Sequence, residues 1–262
     1  MTQLRIPNLK ALILDMDGVI WRGEQPLGDL PFIFGEFKQR GYKTILVTNN
    51  ATLSDDQYQE KMRRFGVELE EWQIVSSPDV VAHYLQKQHP AGGPVFAVGE
   101  IGMIKTLAKY GFYQDNHDVL AVVAGLDRQV TYEILAQATL LIRSGAPFLG
   151  TNSDKTLPVP EGLVPGAGAI LAAIEAATDV KPLVLGKPEP EIYFVALERL
   201  NTTPSETLVI GDRLDTDMTG AQKIGCRTAL LLSGVTQPEE ARNWRPSPDI
   251  IAPDLTGLLS WL

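Results

Sequence analysis

Leu12-Ile13-Leu14-Asp15-Met16-Asp17-Gly18-Val19 is the stretch on which the reading of this chain turns. An apolar, β-favouring run stops at two carboxylates one residue apart, and a glycine follows. Successive side chains of a strand alternate faces, so this spacing predicts that Asp15 and Asp17 face one site at the strand's end. Ligands of open α/β sheets gather there, beyond the carboxyl ends of the strands. Two carboxylates held this close repel each other unless a cation lies between them or one keeps a proton. Either arrangement serves a metal-assisted reaction with one carboxylate as nucleophile and the other as acid/base. On its own the motif is equally well an acidic turn, because Asp and Gly are common turn residues. The remainder of the chain has to decide.

Composition narrows the field. With 262 residues, 44% hydrophobic and 21% charged, the chain has the make-up of a globular protein of one large or two smaller domains. A net charge of −9 with no lysine/arginine block argues against nucleic-acid binding. It does not exclude a phosphorylated substrate, since a bound cation and one placed lysine override a distant acidic surface. The single cysteine, Cys226, rules out an internal disulfide, and there is no Cys/His cluster of structural-zinc type. His83, His89 and His117 read as surface residues. No run reaches membrane-spanning length and the N-terminal stretch lacks a signal-peptide core, which gives the expectation of a reduced, cytoplasmic enzyme with no membrane partner.

Apolar strands alternate with helical patterns almost throughout, the signature of an α/β protein with a mostly parallel sheet. Strands are expected at Leu12–Asp15, Lys43–Thr48, Gln73–Ser76, Thr207–Ile210 and Thr228–Leu232. Helices are expected at Leu30–Gln39, from the Ser54-Asp55-Asp56-Gln57 capping box to about Phe65, and from Ser77 to about Gln88. Glu191–Leu200 and Asp217–Ile224 complete that set. After the turn-rich His89–Pro94, a second round of α/β units follows, with strands at Val95–Val98, Val119–Gly125 and Phe148–Thr151. The middle of the chain, residues 80–181, is therefore expected to be an insertion between two halves of one sheet, 1–79 and 182–262.

Four predicted strands end in polar chemistry. After Asp15/Asp17 comes Thr48-Asn49-Asn50, whose hydroxyl, amides and backbone N–H groups could grip phosphate oxygens or simply cap the next helix. Lys187, flanked by Gly186 and Pro188, sits where its ammonium could neutralise a carboxylate and a phosphoryl oxygen together. Gly211-Asp212-Arg213-Leu214-Asp215-Thr216-Asp217 ends the fourth strand. There Asp212 could reach a cation held by Asp15, supplying the hard oxygen that Mg²⁺ prefers. Asp217 could orient metal-bound water or the lysine, and Asp215 reads as a helix-start residue. One such segment means little; four in order at strand ends is a site.

In that order the four segments resemble the motifs of the haloacid dehalogenase superfamily, and the chain is identified as a member. Asp17-Gly18-Val19-Ile20-Trp21-Arg22-Gly23, Thr48-Asn49-Asn50-Ala51-Thr52 and Gly186-Lys187-Pro188-Glu189-Pro190 are most similar to its NagD-like or p-nitrophenylphosphatase-type branch. Gly125-Leu126-Asp127-Arg128 and Thr151-Asn152-Ser153-Asp154 through Pro165-Gly166-Ala167-Gly168 resemble that branch's α/β cap, with Ser153 where proline is expected. The resemblance implies a Rossmann-like core with an inserted α/β cap and a Mg²⁺-dependent phosphatase acting on small phosphorylated metabolites. It implies that Asp15 attacks phosphorus to form an aspartyl-phosphate, and that Asp17 protonates the leaving group and then activates water. Asp17 must then carry a proton when substrate binds. Mg²⁺ would be held by Asp15, the backbone carbonyl of Asp17 and Asp212, and phosphate by Thr48, Asn49 and Lys187. Asn50, Gly18, Gly211 and Asp217 would support the site. Val19–Gly23 would form a flap, with Trp21 a packing residue or a substrate contact. Asp127, Thr151, Asn152 and Asp154 would set leaving-group choice, and a cap-mediated homodimer follows by analogy. The same intermediate would also serve a phosphotransferase or mutase; a non-catalytic binding protein is disfavoured because Asp15, Asp17 and Lys187 are all present.

Overall fold

The computed structural model describes residues 8–159 and 161–262. The chain divides into two compact units: the residues up to Thr48 with Tyr58–Val75 and Lys187–Leu262, and Asn49–Gln57 with Ser76–Gly186.

The first unit is built on a six-stranded sheet. From one edge to the other the strands are Ile250–Ala252, Arg227–Leu231, Thr207–Gly211, Ala11–Leu14, Lys43–Thr48 and Ile74–Ser76. Ala11–Leu14 lies in the middle and is buried at every residue, as an ALIL run with no polar face requires. It pairs in parallel with Thr207–Gly211 on one side and Lys43–Thr48 on the other, with Leu14 beside both Ile210 and Leu46. The chain leaves this strand toward one edge and returns to build the other, so the switch point lies between Ala11–Leu14 and Thr207–Gly211. Register then puts Asp15, Thr48 and Asp212 within a residue or so of one level, at the carboxyl ends of three adjacent strands.

The helices of this unit follow local signals. Leu30–Gln39 starts at Asp29, whose carboxylate accepts from the Phe32 N–H, with proline in the first turn. It buries Leu30, Ile33 and Phe37, one face at helical spacing, and stops before Gly41. Asp55–Arg64 has acids in its first turn and Lys61, Arg63 and Arg64 in its last, the order favoured by the helix dipole. Of the expected capping box only one half is present, the Gln57 side chain accepting from the Ser54 N–H.

The second unit carries a five-stranded parallel sheet in the order Leu183–Val184, Phe148–Gly150, Val122–Ala124, Gly93–Val98 and Phe112–Gln114. Phe96, Val122 and Phe148 from its strands pack with Ala138 and Ile142 of the helix Tyr132–Arg143 and with Leu171 and Ile174 of Ala167–Thr178. An antiparallel hairpin, Thr156–Val159 with Gly162–Pro165, precedes that last helix.

Candidate active site

Asp15 is set directly by the sheet, its N–H donating to Ile210 O at 2.8 Å. Asp17 is not. The strand ends at Leu14, so alternation along it does not aim Asp17 as the spacing suggested. What aims it is a tight turn: the Met16 carbonyl accepts from the N–H groups of Val19, Ile20 and Trp21, and the Gly18 N–H donates to Trp21 O. Met16 is buried and Asp17 is exposed. Among the described residues, the one bond to the Asp17 carboxylate comes from the Trp21 indole, Nε1 to Oδ1 at 2.9 Å.

Lys187 is 4% exposed and lies between Asp15 Oδ1 and Asp217 Oδ1, 2.7 Å from the latter. The second Asp217 oxygen accepts from the Arg213 N–H at 3.1 Å. A single π-type turn, Leu214–Met218, brings Asp217 back over its own strand end. The buried Tyr193 hydroxyl braces this turn at the carbonyls of Thr216 and Asp217, 3.2 Å from each.

Asp212 is held from two sides. Its Oδ2 accepts from the Val235 N–H at 2.7 Å, and its carbonyl accepts from the Thr236 hydroxyl at 2.6 Å. This approach depends on missing side chains: a Cβ on Gly234 would lie 1.8 Å from Asp212 Oδ2, and one on Gly18 2.5 Å from it. At Gly211 a Cβ would lie 2.3 Å from that of Asp217. The Ser233 hydroxyl closes the loop onto Gly18 O at 2.7 Å. Gly234, Val235, Thr236 and Tyr193 belong to the site and were missed in the sequence reading. The available signal was that Thr228–Leu232 also ends at this edge of the sheet, in Ser-Gly.

The carboxylate oxygens of Asp15, Asp212 and Asp217 approach one another within 4.8 Å, the only such group of His, Cys, Asp and Glu among the described residues. Burial raises the Asp15 carboxyl well above its usual range; the Lys187 charge opposes this, and Asp217 and Asp212 add to it. Burial, then the Asp217 charge, pushes Asp212 up to about 6 against the Val235 hydrogen bond. For Lys187 burial acts to lower the pKa, yet Asp15 and Asp217 outweigh it and the ammonium is held well above its ordinary value. One lysine thus faces three buried carboxylates, a surplus of negative charge that a divalent cation would remove. The donor set fits one. Both oxygens of Asp217 are engaged, whereas Asp212 Oδ1 is buried with no hydrogen-bond partner among the described residues. Asp15 and Asp212 are therefore the residues that fit as carboxylate ligands, and Asp217 fits as the lysine's anchor.

Thr48 is buried at the end of its strand, and the first unit stops there. In the second unit, the Asn49 amide donates to Asp154 Oδ2 at 3.3 Å, and its carbonyl accepts from Asn152 Nδ2 and Ser77 Oγ, both at 2.8 Å. Asn50 Oδ1 accepts from the Thr52 N–H and hydroxyl, a turn-forming role. Asn152 and Asp154, expected to choose the leaving group, thus fasten the Asn49 loop, with Thr151 beside them. Asp127 is not in that group; its carboxylate caps the turn at Gln129.

A haloacid dehalogenase-like hydrolase model matches residues 12–113, and an HAD-hydrolase-like model residues 184–258. An acid sugar phosphatase of Staphylococcus aureus is 35% identical over 97% of this chain and 98% of its own. The structure of a p-nitrophenyl phosphatase from Archaeoglobus fulgidus is similar with a TM-score of 0.92, at 30% identity over 98% of this chain and 100% of that one. That of a glycerol phosphate phosphatase from Mycobacterium tuberculosis in complex with magnesium gives 0.86, at 33% identity over 96% of this chain and 76% of that one.

Proposed function

This chain belongs to the haloacid dehalogenase-like hydrolase family and is a phosphatase, and from that premise we propose that it hydrolyses small phosphate monoesters with Mg²⁺ through an aspartyl-phosphate on Asp15. The observation that carries this reading is the meeting of Asp15, Asp212, Asp217 and Lys187 at the carboxyl ends of the two central strands. The unpartnered Oδ1 of Asp212, its approach to Asp15 within 4.8 Å, and the magnesium complex of the mycobacterial relative support the metal. When bound, Mg²⁺ supplies charge neutralisation between an anionic nucleophile and an anionic phosphate.

Lys187 holds one Asp15 oxygen and so fixes the carboxylate's direction of attack. As the Asp15–phosphorus bond forms, the ester bond breaks, and its electron pair goes to the leaving oxygen, which takes a proton from Asp17. Asp17 then removes a proton from water as that water displaces Asp15. Thr48 and Asn49 hold the phosphoryl oxygens, and the Asn152–Asp154 segment sets the Asn49 loop. Residues 80–181 act as the substrate-selecting insertion. The substrate class is a small sugar or polyol phosphate, as the names of the relatives suggest. The proposal extends to a cytoplasmic location, supported by a single cysteine and so no internal disulfide in the given sequence. The test is phosphate release from a set of small monoesters in Mg²⁺ and in EDTA, with Asp15→Asn as control. Turnover should require Mg²⁺ and vanish in a folded Asp15→Asn protein; wild-type turnover by that variant would overturn the nucleophile.

A further inference from the structure

Trp21 is 1% exposed, whereas the acid/base it touches is exposed. Its ring is enclosed on several sides. Tyr58 stacks on it with centroids 6.3 Å apart, Phe65 lies against it at 6.1 Å, and Lys61 Nζ stands 4.4 Å from its ring centre. Lys61 is tied in turn to Gly23 O at 2.7 Å and to Glu24 at 3.3 Å, so the hairpin carrying Trp21 is pinned to the helix Asp55–Arg64. Two ring contacts and a cation hold the indole in one orientation, and in it the ring's only polar atom points at Asp17 Oδ1.

We propose that Trp21 is a positioning residue for Asp17, selecting which carboxyl oxygen exchanges the proton. An indole N–H donates and cannot accept. Asp17 Oδ1 is therefore occupied as an acceptor whether or not the carboxyl carries a proton, and the proton resides on Oδ2. Among the described residues Oδ2 has no hydrogen-bond partner and is open to substrate. When the ester bond breaks, the proton leaves Oδ2 for the departing oxygen; when water attacks, a water proton returns to Oδ2. A carboxyl otherwise free to rotate in solvent is thus held in one orientation by a buried ring. The inference rests on the reading of Asp17 as the acid.

The test replaces Trp21 by 3-benzothienylalanine, which keeps the shape and exchanges the N–H for sulfur, and separately makes Trp21→Phe. For each, kcat/KM in Mg²⁺ is compared for p-nitrophenyl phosphate, whose phenolate leaves unaided, and benzyl phosphate, whose alkoxide needs the proton. Loss of the N–H should lower kcat/KM for benzyl phosphate by about 10- to 100-fold and for p-nitrophenyl phosphate by less than about threefold. Asp17→Asn should show the same split with larger losses. If Asp17→Asn lowers both equally, the acid assignment fails. If Asp17→Asn splits the substrates while the benzothienylalanine protein loses nothing, or loses equally on both, the role of Trp21 is overturned.

Discussion

The buried carboxylates and Asp17 lie on the same turn-and-strand framework but are held in opposite ways. Asp212 and Asp217 are each fixed by backbone N–H groups, close glycines and a buried partner. Asp17 faces solvent on a single bond from an indole. Groups that only have to hold charge can be locked by the fold, because burial makes them bind a cation harder. A group that must give and take a proton needs a free oxygen and access to substrate. The difference teaches that the strand ends build the buried electrostatics, and that, on the proposed reading of Asp17, the hairpin after Gly18 builds the proton transfer.

Breaking the buried side should cost most. Lys187→Met leaves three carboxylates without a counter-charge; kcat/KM should fall by about 100-fold or more. Urea unfolding without metal should show a loss of about 3–5 kcal/mol. Gly234→Ala should come next, since its Cβ would lie 1.8 Å from Asp212 Oδ2. Isothermal titration should show Mg²⁺ binding weakened about 10- to 100-fold, with Ser153→Ala, remote from Asp212 in sequence and in the second unit, unchanged.

A pH series sharpens the contrast. A carboxyl raised to about 6 binds its proton more tightly folded than unfolded. The stability it gives is therefore present below the ordinary carboxylate range and is lost as pH rises through about 6. Melting in EDTA should drop over that window, and the gain on adding Mg²⁺ should be larger at pH 8 than at pH 5. The smallest effect belongs to Asp215→Asn. That side chain is 65% exposed and pairs only with Arg213 at the surface, so kcat and melting temperature should stay within about experimental scatter.

The sequence made some parts plain. Leu30–Gln39 and Lys43–Thr48 were legible to the residue because apolar spacing, caps and a following glycine agree there. The meeting of Asp15, Lys187, Asp212 and Asp217 was legible because chemistry at strand ends is conspicuous. For Asp17 the geometric ground read from the spacing was wrong: a turn about the Met16 carbonyl, not strand alternation, aims it. The hairpin of residues 156–165 was hidden by Pro158, Gly162 and Pro165, which interrupt any alternation. Gly234 looked like any Ser-Gly turn, since its meaning is the space it leaves beside a residue 22 positions earlier. Trp21 was legible as a packing residue, which it is; its second role depends on where one nitrogen points.

The central strand Ala11–Leu14 lies between partners drawn from opposite ends of the chain, Lys43–Thr48 nearby and Thr207–Gly211 almost two hundred residues later. During synthesis Asp15 emerges well before the strand that completes its hydrogen bonding and carries Asp212 at its end. A nascent chain stopped after the second unit would carry Asp15 on an unfinished sheet edge, with neither Lys187 nor Asp212 beside it.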